Sequence, residues 1–411
     1  LVSGEVHYWR LEPSDWETVL RAGMEMGLET IASYISWHFH EFKEGKFDFT
    51  GETDPKRDLI SYLKLVQKLD LNLLIRPGPY IFAETHNYGI PDYVVPFHRL
   101  HPEFLKAASR YLKNVCDVIR PFLATNGGPI VLCQVDNMFD LVQHRYDRQL
   151  GFFGGDGIFQ DFLKKRYREI SSLNKAWDAK YVDFTQVMAV ALDVVGDQTT
   201  HNRHTDFQEF KHWFTAESAS WTVNEYRKNG INVPLYSNAT RDQDLTRMSE
   251  VLDLVAFNHY PSKSYSLVPG EHQVYLDNIR LLPMVSPLPY VLELESGIWH
   301  GGHFHIVSLT SDHYRYLLLT ILAGGAVTWT WFMLHDRDNY YMCPLNNRGQ
   351  KRIDLFALFS QFIALEKEVE PHEWQHCSKT GISYYLPHDL ATHSSLSIRD
   401  TFEVSKKLYE A

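Results

Sequence analysis

Eight short apolar runs recur along this chain. After each, the polarity pattern changes to one apolar residue every three or four positions. The runs are Val2–Tyr8, Thr30–Ser36, Leu71–Pro77, Pro129–Val135, Val233–Ser237, Leu252–Phe257, Tyr290–Leu294 and Ala326–Phe332. Near-continuous hydrophobicity over such lengths is the pattern of parallel strands buried on both faces. The intervening stretches read as helices. Trp16, Val19, Leu20, Gly23 and Met24 line one face of the first, behind a Ser14-Asp15-Trp16-Glu17 sequence that reads as a capping box. Leu59, Ile60, Leu63 and Val66 repeat the spacing, as do Leu105, Ala108, Leu112, Val115 and Ile119. Strand and helix in alternation imply right-handed crossovers, and eight such units predict an α/β fold of the (β/α)8 TIM-barrel type. A doubly wound open sheet is the competitor, but its Gly-rich dinucleotide turn is missing.

The predicted barrel occupies residues 1–365 of the 411. Strands four and five are separated by a long excursion with more than one helix, Ile158–Ile170 and Phe207–Lys228 among them. Residues 366–411 read as a linker and the beginning of an incomplete C-terminal α/β domain, with a strand at Gly381–Leu386 and a helix at Thr401–Glu410. The chain ends before such a domain could close a core, and Leu1 enters a strand at once. Both features predict a fragment of a longer protein. Compartment (cytoplasmic, or secreted or periplasmic behind a missing leader) and oligomeric state are left open.

The charge balance of 40 basic and 51 acidic residues argues against nucleic acid as a partner, because phosphate backbones are bound by basic surfaces. No apolar run approaches the ~20 residues that span a bilayer, so no membrane partner is expected. Cys116, Cys133, Cys343 and Cys377 are scattered without a C-x-x-C pair, which predicts neither a disulfide framework nor a zinc site. Aromatic residues make up 14% of the chain, and many stand beside polar residues at strand ends. Core packing accounts for most of them. The rest suit a pocket for a ligand with apolar faces and polar rims, such as a sugar.

In a barrel of this type the C-terminal strand ends form the active face. Those ends carry His7-Tyr8-Trp9; Tyr34, Trp37, His38, His40 and Glu41; Tyr80 and Glu84; Gln134, Asp136 and Asn137; Asn238; Asn258-His259-Tyr260; Glu293 and Glu295; and Trp331, His335 and Asp336. One carboxylate there is ordinarily an ion-pair or capping group. Carboxylates from three strands point to acid–base or nucleophilic work. His38 and His40 alternate along a predicted strand with no third ligand identifiable, so no metal is expected. A serine-hydrolase elbow is missing. Asn238-Ala239-Thr240 matches a glycosylation acceptor, but a barrel strand end is a poor place for a glycan.

Several stretches carry a resemblance. SGEVHYWR, ASYISWHFHE, FDFTG, RPGPYIFAE followed by YGIP, GGPIVLCQVDN, YVLELESGIW and AGGAVTWTWFM resemble the clan-A β-galactosidases of glycoside hydrolase family 35. FLKKRYREISSLNKAWDAKY is more similar to family 42. The likeness covers most of residues 1–365. It implies retaining hydrolysis of a terminal β-galactoside by two carboxylates ~5–5.5 Å apart, with an oligosaccharide or glycoside as substrate and no cofactor. By the same resemblance Glu293 matches the nucleophile. Tyr34, Glu84, Asn137 and Trp331 match positions that hold the sugar, and Tyr260 matches a tyrosine beside the nucleophile.

One position departs from the family. The acid/base glutamate should follow Asn137, and the chain has Met138, which has no proton to give. Three explanations stay open. The chain is a catalytically silent carbohydrate-binding protein; or a neighbouring acid (Asp136, Asp140 or Glu295) takes the role; or the local alignment is displaced. A related glycosidase with another sugar preference is a further alternative. Read without the resemblance, Met138 is a buried apolar residue and Glu295 a loop-capping acid.

Overall fold

A computed structural model of the chain describes residues 1–139, 143–189, 198–239, 243–260, 276, 279–299 and 310–376. The strands are β1 (Ser3–Glu5), β2 (Thr30–Tyr34), β3 (Asn72–Arg76), β4 (Ile130–Gln134), β5 (Leu235–Ala239), β6 (Leu254–His259), β7 (Tyr290–Glu295), β8 (Ile298–Trp299), β9 (Thr328–Phe332) and β10 (Tyr340–Tyr341). β1 to β7 and β9 form a closed barrel in that order, every neighbouring pair parallel. β8 and β10 make a separate antiparallel ribbon. The predicted (β/α)8 barrel is the observed fold, with each of the eight apolar runs supplying one barrel strand. The first strand is shorter than its apolar run, because Tyr8–Arg10 turns into a 3-10 helix.

The barrel belongs to a compact unit made of Leu1–Val95, Lys106–Met138 and the described residues from Ala219 onward. Its interior is closed by side chains at alternate strand positions, as the period of two requires. Ala32, Leu74, Leu132, Tyr236, Leu254, Ala256, Tyr290 and Leu292 form one buried cluster. Polar groups within the ring find each other: Ser3 Oγ lies 2.6 Å from Thr330 Oγ1, which also bonds to the Tyr290 hydroxyl.

Helices α1 (Trp16–Met26), α2 (Trp37–His40), α3 (Leu59–Lys68) and α4 (Pro102–Ile119) follow the early strands. In α1, Trp16, Val19, Leu20 and Gly23 are buried as the spacing predicts, while Met24 is exposed and Met26 takes the inner position. The expected capping box does not form. Pro13 opens a 3-10 turn over Pro13–Asp15, so Ser14 is already within helical backbone, and the residue before α1, Asp15, makes no side-chain cap. Gly27 ends α1 in the left-handed region at φ 108°, where a Cβ would also press on Ile363 at 3.2 Å. In α3 the Asp58 carboxylate accepts the Ser61 amide at 2.9 Å, a cap the sequence reading did not single out. His38 and His40 lie in α2 rather than on a strand. His40 is core, with Nδ1 2.6 Å from the Asp48 carbonyl oxygen and Nε2 2.5 Å from the Tyr8 hydroxyl.

A second unit is built from Pro96–Leu105, which precedes β4, and from Phe139–Ser218, which lies within the stretch predicted to be an excursion. It holds the helices Ile158–Tyr167 and Ile170–Trp177 and most of Gln198–Lys228. Phe152, Phe159, Phe207 and Phe210 pack edge to face at its centre. Asp206, buried, accepts from Trp177 Nε1 at 2.7 Å and Tyr167 at 2.5 Å and pairs with Arg166.

A helix at Ile353–Val369 runs through the expected end of the barrel at residue 365. The strand expected at Gly381–Leu386, the helix at Thr401–Glu410 and the candidate acid Asp140 lie outside the described residues. Among the described residues no helix is long and apolar enough to cross a membrane.

Candidate active site

The strand register places Glu293. Along β7 the inward residues are Tyr290 and Leu292, and strict alternation would turn Glu293 outward. Instead Val291 pairs with Trp329 and Leu294 with Trp331, so three steps on β7 face two on β9. β6 shows the matching irregularity, with Phe257 opposite Val291 and Asn258 opposite Glu293. This bulge re-aims the glutamate into the ring.

Four donors converge on the Glu293 carboxylate. The Tyr34 hydroxyl donates to Oε1 at 2.7 Å, and Arg76 Nη2 donates to the same oxygen. Asn258 Nδ2 donates to Oε2 at 2.8 Å, and the Tyr260 hydroxyl does so at 2.6 Å. Glu293 is 4% exposed, so these bonds form with little competition from water. Burial drives the phenols of Tyr34 and Tyr260 well above their usual range, which keeps both protonated as donors.

The end of β4 completes the cluster. Asn137 Nδ2 donates to the Tyr34 hydroxyl and to the Ile81 carbonyl, both at 2.8 Å. Met138 follows with φ 47°, and its amide donates to Asn238 Oδ1 at 3.3 Å. Asn238 Oδ1 also accepts from Gln134 Nε2 at 3.1 Å, and Gln134 Oε1 accepts from Arg76. The structure thus brings Tyr34, Asn137, Tyr260 and Glu293 into one hydrogen-bonded set, with Met138 joined to it through Asn238.

Other predicted residues lie around it. Asp136 has φ 57° and is buried in the turn after β4. Its Oδ1 accepts the Asn137 amide at 2.6 Å, and its charge is felt by Tyr226. Asn137 is the residue of this turn that donates to the Tyr34 hydroxyl. Trp331 stacks on Phe359 of the Ile353–Val369 helix, ring centres 4.1 Å apart, on the outer side of β9. On β9 the inward neighbour is Phe332, which packs with Tyr34 and Ile81. Glu84 is paired with Arg337. Glu295 lies opposite Phe332, and burial pushes its carboxyl up to about 8. Its Oε2 is buried and has no hydrogen-bond partner among the described residues.

A cavity of about 840 Å³ opens beside this cluster, lined by Trp9, Phe39, His38, Glu84, Arg337 and Tyr341 among others. Glu84 belongs to its wall and Glu293 does not. Glu293 thus lies with the converging donors and outside the wall of the cavity. No group of three or more metal-ligating side chains occurs among the described residues.

Arg76 and Glu5 were not singled out in the sequence. Both are charged residues inside apolar strands, SGEV and LLIRP, and a charge in such a setting requires a partner. That requirement was the available signal.

The family model described as Glycosyl hydrolases family 35 matches residues 1–245. An exo-beta-D-glucosaminidase of Pyrococcus horikoshii is 34% identical over 211 residues, covering 45% of this chain and 27% of that protein. A beta-1,2-glucosyltransferase of Ignavibacterium album is 29% identical over 258 residues, covering 58% and 36%. The chain thus spans about a quarter to a third of the length of these relatives. Among solved structures, the beta-galactosidase of Halorubrum lacusprofundi superposes with a TM-score of 0.70 at 16% identity, over 89% of this chain and 58% of that one. At that identity the match speaks to the fold.

Proposed function

Because the chain belongs to glycosyl hydrolases family 35, we propose that it is a glycoside hydrolase acting by a retaining double displacement on a terminal β-linked sugar, with Glu293 as the nucleophile. The observation that carries this reading is the convergence of Tyr34, Arg76, Asn258 and Tyr260 on the two oxygens of Glu293. Four donors fix the carboxylate in one orientation, and positioning of the attacking group is a large part of such catalysis.

In the first step an oxygen of Glu293 forms a bond to the anomeric carbon. The bond from that carbon to the leaving oxygen breaks, and the leaving oxygen takes the electron pair. Water then attacks the anomeric carbon, the bond to Glu293 breaks with its electron pair returning to the carboxylate, and the attacking water gives up its proton to solvent, so the sugar leaves with retained configuration. Asn137 and Tyr34 border the reacting carboxylate and are the groups we assign to the sugar's hydroxyls. Departure of the leaving group normally needs a proton, and Met138 cannot supply one. Substrates whose leaving groups depart as stable anions are therefore the ones this chain should turn over.

Galactose is the sugar the family resemblance favours. Glucosamine and glucose are the comparison sugars, given the relatives named above. The experiment is incubation with an activated 2-deoxy-2-fluoro-β-galactoside, followed by peptide mass mapping. An adduct on Glu293 is expected. No adduct and no turnover of an aryl β-galactoside, together with measurable galactose binding, would instead support a catalytically silent carbohydrate-binding protein, the reading that Met138 favours. Azide, small enough to enter beside Met138, should speed release of the trapped sugar as a glycosyl azide if the nucleophile is intact.

A further inference from the structure

Two carboxylates share one guanidinium inside this barrel. Arg76 on β3 donates through Nη2 to Glu293 on β7, and through Nη1 to Glu5 Oε2 on β1 at 2.9 Å. Arg76 and Glu5 are completely buried. The second oxygen of Glu5 lies 3.3 Å from His7 Nε2, out of hydrogen-bond alignment, and has no hydrogen-bond partner among the described residues.

His7 brings no second positive charge. Its Nδ1 lies 2.8 Å from Arg10 Nη1, and a guanidinium only donates, so Nδ1 carries no proton. Burial first, and then Arg10 and Arg337, hold the imidazole well below its usual range. The other groups facing Glu5 are Arg337 after β9 and the phenols of Tyr34 on β2, Tyr62 on α3, Tyr236 on β5 and Tyr290 on β7. Burial raises all four phenols far above neutrality, so none exchanges a proton with Glu5 there. Two anions against one inner cation is a costly arrangement in a dry interior.

We propose that Glu5 is a positioning residue for Glu293 and acts through Arg76. When ionised it holds the guanidinium toward β1; when protonated it leaves Arg76 to the β7 carboxylate. Burial, with the charge of Glu293 adding to it and Arg76 opposing it, pushes the Glu5 carboxyl up to about 7, so the exchange falls near neutral pH. The catalytic consequence rests on the reading of Glu293 as nucleophile; the coupling itself does not.

The test has two arms. The first is infrared difference spectroscopy of the intact chain across neutral pH. Two protonated-carboxyl bands that titrate near neutrality are expected, from Glu5 and, higher, from Glu295, and the lower-titrating one should be lost in Glu5→Gln while that of Glu295 stays. In Glu293→Gln, which leaves Glu5 in place, the midpoint of the Glu5 band should fall by ~1 pH unit or more, because a like charge has been removed. A Glu5 band that is missing from the wild type, or a midpoint that Glu293→Gln does not move, overturns the proposal.

The second arm is the pH profile of aryl galactoside hydrolysis. The alkaline-side decline in kcat near neutrality should disappear in Glu5→Gln with KM unchanged; superposed profiles overturn the proposal. A wild type without turnover counts against the hydrolase reading alone, and the infrared arm then decides the coupling.

Discussion

The Tyr34 phenol stands 2.7 Å from Oε1 of Glu293 and is itself held by Asn137 Nδ2 at 2.8 Å. The guanidinium carbon of Arg76 lies 3.7 Å from the centre of the same ring. Tyr34 is thus fixed from β3, β4 and β7 at once, and its hydroxyl is aimed rather than free to rotate. Tyr34→Phe keeps the packing and removes one donor to a charged acceptor, a loss of roughly 1.5–3 kcal/mol. Steady-state kinetics on an aryl β-galactoside should show kcat down by about 10- to 100-fold, with the unfolding midpoint little changed.

Met138→Glu restores a titratable side chain at the end of β4. If proton donation is what the site lacks, disaccharide hydrolysis should rise by about 10²–10⁴-fold. Activated aryl substrates should gain much less, because their leaving groups need little protonation. The ratio of kcat/KM for the two substrates is the measurement, and an unchanged ratio would argue against the idea.

Trp331 is a core residue of the Ile353–Val369 helix contact. Trp331→Ala should destabilise the barrel by roughly 3–5 kcal/mol in denaturant unfolding. Sugar affinity of the folded fraction should stay close to that of the wild type. A large affinity loss without a stability loss would return Trp331 to the sugar site.

Asp48 gives a pH prediction. Burial works against its charge, but the hydroxyl and amide of Thr53 and the amides of Thr50 and Gly51 outweigh it and hold the carboxyl well below its usual range. The folded-state value is depressed. The stabilisation is therefore present above the unfolded value of 3.8 and is lost as pH falls below it. Asp48→Asn should lower the melting temperature at pH 7, and the two proteins should converge in acid.

The barrel was legible because strands buried on both faces leave an unbroken apolar signature, and the chain carries eight. That same signature hides direction. On β9 the run Thr328–Phe332 does not say which side chains point inward, and the resemblance selected Trp331, whereas the alternation turned Thr330 and Phe332 inward. The inward aim of Glu293 depends on a bulge set jointly by β6 and β9, a non-local feature that β7 alone does not encode. The Ser14 cap failed for a local reason, since Pro13 had already begun a helical turn. Arg76 escaped notice because its partners, Glu5 and Glu293, are far from it in the chain.

The ring is sealed by its first and last barrel strands, where Ser3 meets Thr330 across a sequence separation of 327. During synthesis β1 must wait for β9 before it gains its second neighbour, and contacts this distant form slowly. Until then a partly folded copy carries two bare strand edges, at β1 and β7, and each is a template for another chain. The interval before closure is thus when copies can pair with one another instead of with themselves, and yield on expression should depend on concentration more steeply than the stability of the finished barrel would suggest.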